Sequence, residues 1–168
     1  HVVNNLVGAS VGAAGQRCMG ISVAVFVGQA KDWVDEIKAG FENVRPGVWD
    51  DTNAAYGPQT SKAAKDRILS LIASGKAQGA TCLIDGSDFT VEGYEQGNWV
   101  GPTLFTDVTT EMDLYKEEIF GPVLSILPYK DEEEAVKIAN DTEYGLYGYV
   151  SSGDVEHAKK VANRIRAG

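Results

Sequence analysis

The sequence is short of sulfur, histidine, positive charge and long apolar runs, and each shortage removes a class of function. It holds two cysteines in 168 residues, Cys18 and Cys82, so it carries no disulfide framework and no CxxC metal pattern. Two histidines, His1 and His157, argue against a metal site built from protein ligands alone. No segment approaches the roughly 20 apolar residues of a membrane-spanning helix. The start lacks the basic-then-apolar pattern of a signal peptide. Gly8 and Gly12 form a GxxxG pair, but the apolar run around them is too short and too interrupted to span a bilayer. Lys and Arg total 15 against 24 Asp and Glu, a formal charge of −9. That balance argues against nucleic acid or an anionic membrane as the main partner, because phosphate binding needs a basic surface. Sparse, unpaired cysteine points to a reducing, cytoplasmic compartment.

What is present suits one domain with a full-sized core: hydrophobic residues make up 43% of the chain. Apolar residues recur at helical spacing from Val2 to Ala14, and Gly15 is placed to end that helix. Ile21 to Val27 is a short, β-branched apolar run of the kind buried in parallel sheets. Lys31 to Phe41 is helical again, and Arg45 to Gly57 is rich in turn residues. Thr60 or Ser61 is placed to cap a long amphipathic helix ending near Gly79. A strand at Thr81–Ile84 follows, then an irregular stretch from Phe89 to Asn98. Val100–Phe105 carries Pro102 and is expected to be irregular or at a sheet edge. Pro122–Leu127 reads as a strongly buried strand, Glu132–Asn140 as a helix capped by Asp131, Gly148–Ser151 as a strand, and Val155–Arg166 as a helix capped by Asp154. Strands alternating with helices predict an α/β fold with a mainly parallel sheet flanked by helices. Both chain ends fall in helix-like patterns, so a single domain over 1–168, cut from a longer protein, is the expected organisation.

Two stretches stand out chemically. In GAAGQRCMG, Cys18 follows Arg17 among Gly12, Gly15 and Gly20. A thiol becomes a useful nucleophile when its pKa falls below the free value of about 8.5. A neighbouring guanidinium favours the thiolate, and glycines let backbone N–H groups approach an oxyanion. The plain alternative is a buried small hydrophobe, which is also the better reading of Cys82 in the strand pattern TCLI. The second stretch is YKEEIFGPVLSI, Tyr115 to Ile126. Glu117 and Glu118 precede a loop that leads into the buried strand. A carboxylate there can accept ribose hydroxyls, and Phe120 can pack on a flat ring. The plain alternative is a charged helix end and a turn.

Taken in order and spacing, GQRCM and EEIFGPV resemble the aldehyde dehydrogenase superfamily. The resemblance extends to Gly57-Pro58, to Gly79–Leu83, to VGPTLF at Val100–Phe105 and to YGL at Tyr144–Leu146. It implies the catalytic-domain fold of that family. It makes Cys18 the catalytic nucleophile and gives Glu118 and Phe120 contacts to the nicotinamide end of NAD. NNLVGASVGAAGQRCM and GYEQGNWVGPTLF resemble the acylating branch, which oxidises methylmalonate and malonate semialdehydes with NAD and passes the acyl group to coenzyme A with loss of the carboxylate. In that branch an arginine at the position of Arg17 holds the substrate carboxylate. After Leu127 the chain is more similar to general NAD-dependent members, which release the acid to water.

The implied chemistry is covalent: thiolate attack on the aldehyde, hydride transfer to the nicotinamide, then release of a thioester. The implied partners are a small aldehyde or semialdehyde and, for full-length members, further copies in a homo-oligomer. No GxGxxG occurs, and nothing corresponds to the family's NAD-binding domain or oligomerisation segment, so the isolated chain is expected to be inactive. Two other readings stand beside this one. A cysteine hydrolase would need His157 as its base, and a non-catalytic fragment would only assemble with full-length subunits.

Overall fold

The run PVLSIL forms the centre of the molecule. In a computed structural model that describes all residues, His1–Gly168, β4 (Val123–Tyr129) is buried continuously from Val123 to Leu127. A strand covered on both faces needs no polar alternation. Three strands join it: β1 (Val23–Val27), β2 (Thr81–Ile84) and β3 (Thr103–Thr106). Their spatial order is β1-β4-β3-β2. β1 and β3 run parallel to β4, and β2 runs antiparallel to β3. The architecture is the expected α/β one with a mainly parallel sheet.

Side chains alternate across β4 and define two cores. Val123 and Leu127 face one, with Phe105 of β3, Ile68 and Ile72 of α3 (Lys62–Ala77), Leu114 of α4 (Asp113–Lys116) and Ile138 of α5 (Glu132–Asn140). Leu124 and Ile126 face the other, with Phe26 of β1, Val7 and Val11 of α1 (Val2–Val11), and Ile37 and Phe41 of α2 (Val34–Glu42). Fully burying each such side chain contributes about 1.5–3 kcal/mol before entropy is counted. The caps act as their sequence suggests. Ser61 Oγ accepts from the Ala64 N–H at 3.1 Å, Asp131 accepts from Glu134 at 2.9 Å, and Asp154 accepts from Glu156 and His157 ahead of α6 (Val155–Ala162).

The structure corrects the sequence reading in four places. Val100–Phe105 is not peripheral: it is buried throughout, and although Val100–Pro102 is irregular, Thr103–Phe105 lies in β3, between β4 and β2. Pro102 is tolerated because it stands just before the first strand residue, where its missing N–H breaks no ladder bond. Gly148–Ser151 is not a strand. It keeps an apolar pattern, but β4 is the only strand paired with β1 and no ladder forms for the segment. The first helix stops at Val11, and Gly12–Gly15 is a separate 3-10 turn. α6 stops at Ala162, short of Arg166.

Candidate active site

Parallel pairing decides where the two motif loops meet. The β1–β4 register sets Val23 opposite Ser125, and Cys18 and Phe120 each lie five residues before a member of that pair. Both loops therefore emerge from the amino ends of neighbouring strands. Open α/β sheets more often bind ligands at the carboxyl ends.

The Cys18 loop is built on an unusual turn. Ala13 (φ 52°, ψ 36°) and Ala14 (φ 58°, ψ 28°) are both left-handed, and Gly15 follows at φ 72°. Each left-handed alanine costs about 1–2 kcal/mol, so neighbours must hold the turn. Gln16 Nε2 donates to the Ala13 carbonyl at 3.2 Å, and Gln59 Nε2 donates to the Ala14 carbonyl at 3.1 Å. Gln16 Oε1 accepts from the Thr60 N–H at 2.9 Å, which stitches the loop to the start of α3. Arg17–Gly20 then forms a β-turn closed by the Gly20 N–H on the Arg17 carbonyl at 3.0 Å. Cys18 and Met19 occupy its corners, and Cys18 is exposed. The Arg17 guanidinium folds back over Gly12, 2.8 Å from where a Cβ on that glycine would sit. From the C-terminal segment, Tyr149 Oη donates to the Met19 carbonyl at 2.9 Å.

Helix α3 holds the second loop. The Arg67 guanidinium donates to the Ile119 carbonyl at 2.9 Å and also to the Glu118 carbonyl. Ile119 is buried, while Phe120 is left-handed at φ 57° and 38% exposed. Ile68 packs directly under Gly121. The two loops touch backbone to backbone: a Cβ on Gly15 would lie 1.9 Å from the Gly121 carbonyl oxygen. This contact brings the Cys18 loop and the Glu118–Phe120 segment to one place. Glu118 is exposed and engaged in no ion pair. An unpaired carboxylate and an exposed ring on the loop that contacts the Cys18 loop can accept a hydroxyl and pack on a flat ring.

The remaining sequence candidates lie elsewhere. Cys82 packs against the core, and burial pushes its thiol pKa up, the opposite of activation. The imidazole of His157 is held 2.6 Å from Glu132, so the base a cysteine hydrolase would need is engaged on the α5–α6 surface. Sequence reasoning missed Gln59, Arg67 and Tyr149. Arg67 on an amphipathic helix reads as an ordinary solvated charge. A single glutamine after Gly57-Pro58 carries no local signal.

The aldehyde dehydrogenase family profile matches residues 1–168, and the chain belongs to that family. Among its relatives is the mitochondrial methylmalonate-semialdehyde/malonate-semialdehyde dehydrogenase [acylating] of Rattus norvegicus, 45% identical over 168 residues. That alignment covers 100% of this chain and 31% of the rat protein, so the chain spans about a third of the length of the curated relatives it matches. The crystal structure of methylmalonate-semialdehyde dehydrogenase from Oceanimonas doudoroffii superposes with a TM-score of 0.95 at 35% identity, over 99% of this chain and 35% of that one. A protein of the same type from Sinorhizobium meliloti, solved in complex with NAD, superposes with a TM-score of 0.94 at 45% identity, over 98% of this chain and 34% of that one.

Proposed function

We propose that this chain is the nucleophile-bearing catalytic part of an NAD-dependent aldehyde dehydrogenase that oxidises methylmalonate or malonate semialdehyde and passes the acyl group to coenzyme A. The Gly15–Gly121 backbone contact carries the reading, because it joins the loop that bears the exposed Cys18 to the loop that bears the exposed Glu118 and Phe120. Cys18 Sγ attacks the aldehyde carbon to form a thiohemiacetal, and the Cys18 backbone N–H donates to the oxygen as it gains charge. Arg17 offers its guanidinium to the substrate carboxylate. Glu118 accepts a ribose hydroxyl, and Phe120 lies along the nicotinamide. NAD, when bound, supplies the hydride acceptor. The acyl group stays on Cys18 as a thioester, its carboxylate leaves as CO2, and the thiol of coenzyme A then takes the acyl group and frees the Cys18 thiol. The acylating names and NAD complex among the relatives support the substrate and cofactor.

The single-domain organisation, inactivity in isolation and homo-oligomeric assembly of the longer protein belong to the same proposal. So does a compartment that keeps Cys18 reduced, the cytoplasm by default; the rat relative carries a mitochondrial name. No helix is long and apolar enough to cross a membrane.

Aldehyde protection of the thiol tests the reading. Malonate semialdehyde should slow iodoacetamide alkylation of Cys18, read by peptide mass spectrometry, and leave Cys82 unaffected. Propanal lacks the carboxylate and should protect less, and Arg17→Met should remove the difference. Equal protection by both aldehydes refutes the role of Arg17. Absence of protection by either refutes the nucleophile. NADH production by the purified chain, lost in Cys18→Ser, would overturn inactivity in isolation.

A further inference from the structure

We infer that Gln59 is a positioning residue for the nucleophile: its carboxamide holds the left-handed turn at Ala13–Gly15 and thereby aims the Cys18 N–H at the substrate oxygen. The inference rests on the reading of Cys18 as nucleophile.

Gln59 is 2% exposed, and its backbone N–H donates to the Asn98 carbonyl at 2.8 Å, so its own position is fixed from the far side. Its Nε2 reaches the Ala14 carbonyl at 3.1 Å. A carbonyl can only accept, so the NH2 end must be the one that faces it. The other end, Oε1, is buried with no partner. An unsatisfied buried acceptor is destabilising, and a leucine of similar size would avoid it. Packing therefore does not explain a carboxamide here, whereas its N–H does.

The carbonyl it grips belongs to the middle of three consecutive left-handed residues. Strain of this kind persists only where the surroundings over-determine it. Gln16 grips the Ala13 carbonyl and is tied to the Thr60 N–H, but it leaves the Ala14 carbonyl unheld. Gly121 is a wall against Gly15, which blocks one direction and attracts nothing. Gln59 is the side chain outside the loop that bonds to the turn's own backbone. Releasing it frees the Ala14–Gly15 peptide to turn, and the Cys18 N–H shifts with the turn.

Two reagents at one thiol separate aiming from loosening. With p-nitrophenyl acetate, Cys18 Sγ bonds to the acetyl carbon as p-nitrophenolate leaves, and the thiol proton goes to solvent. That transition state carries an oxyanion and needs no cofactor. With iodoacetamide, Sγ displaces iodide and no oxyanion develops. In Gln59→Leu the p-nitrophenolate burst should slow about tenfold, a fraction of the hundredfold or more lost when an oxyanion donor is removed outright. Iodoacetamide should modify Cys18 at an unchanged rate. In Gln59→Glu an ionised carboxylate cannot donate, while the protonated acid can. The burst rate of that variant relative to wild type should recover as pH falls through the titration of the introduced carboxyl, which burial moves upward. Equal slowing with both reagents, or no slowing with either, overturns the role of Gln59 while leaving Cys18 as nucleophile. A wild-type chain without a burst, or with one that survives in Cys18→Ser, overturns both.

Discussion

Replacing Gly15 with alanine tests the geometry that joins the two loops. Gly15 sits at φ 72°, where an L side chain is strained by about 1–2 kcal/mol. The added Cβ would also fall 1.9 Å from the Gly121 oxygen and 2.2 Å from its carbonyl carbon. Both are backbone atoms, so no rotamer change relieves the clash and one loop must move. Overpacking of this kind costs a further sum of about 1–3 kcal/mol. The total, about 2–5 kcal/mol, corresponds to a fall of about 4–20 °C in Tm for a chain of this size. Gly28→Ala is the matched control: φ is 61° and no atom lies within 4 Å of the new Cβ, so only the strain applies. Urea denaturation of both variants isolates the clash as their difference. The acyl burst at Cys18 should also collapse in Gly15→Ala and persist in Gly28→Ala. Equal destabilisation of the two variants would refute the backbone contact between the nucleophile loop and the Phe120 loop.

Two further perturbations probe the support around the site. Arg67→Met keeps the stem but removes both donors to the Glu118 and Ile119 carbonyls. The expected loss is about 1–3 kcal/mol in urea titration, with faster amide exchange confined to Phe120–Val123 and partial recovery in Arg67→Lys; unchanged exchange would show that α3 does not hold this loop. Farther away, the Ser74 hydroxyl, with help from Gln78, holds the Asp113 carboxyl below the usual carboxylate range. A depressed folded pKa stabilises above the unfolded value of about 3.9 and is lost as pH falls through the lower folded value. Ser74→Ala should therefore destabilise at neutral pH, and its urea midpoint should converge on wild type in acid; a gap independent of pH would refute the link.

Local signals carried much of this protein in its sequence. Periodicity reports which side chains are buried, so the helix at 132–140 is legible to the residue, and the long helix and the central strand are legible except at their ends. Ser61, Asp131 and Asp154 announce helix starts because capping is a contact over three residues. The candidate thiol and its companion loop are legible as motifs, since Cys18, Glu118 and Phe120 stand in order within GQRCM and EEIFGPV.

Tertiary structure decided the rest. Pro102 suggests an edge, yet β3 is interior, because strand order depends on pairing and not on composition. Gly148–Ser151 has a strand's apolar pattern and no ladder, because a strand exists only where another offers its free N–H and C=O groups. Nothing in two alanines foretells a left-handed turn. It arises because Gln59, 45 residues away, supplies the N–H that one of those carbonyls needs, and because Gly121 walls in Gly15. The chain itself determined which groups could do chemistry. The meeting of their two loops at the amino ends of the strands came from the parallel register of β1 on β4, a long-range choice that no local window of sequence contains.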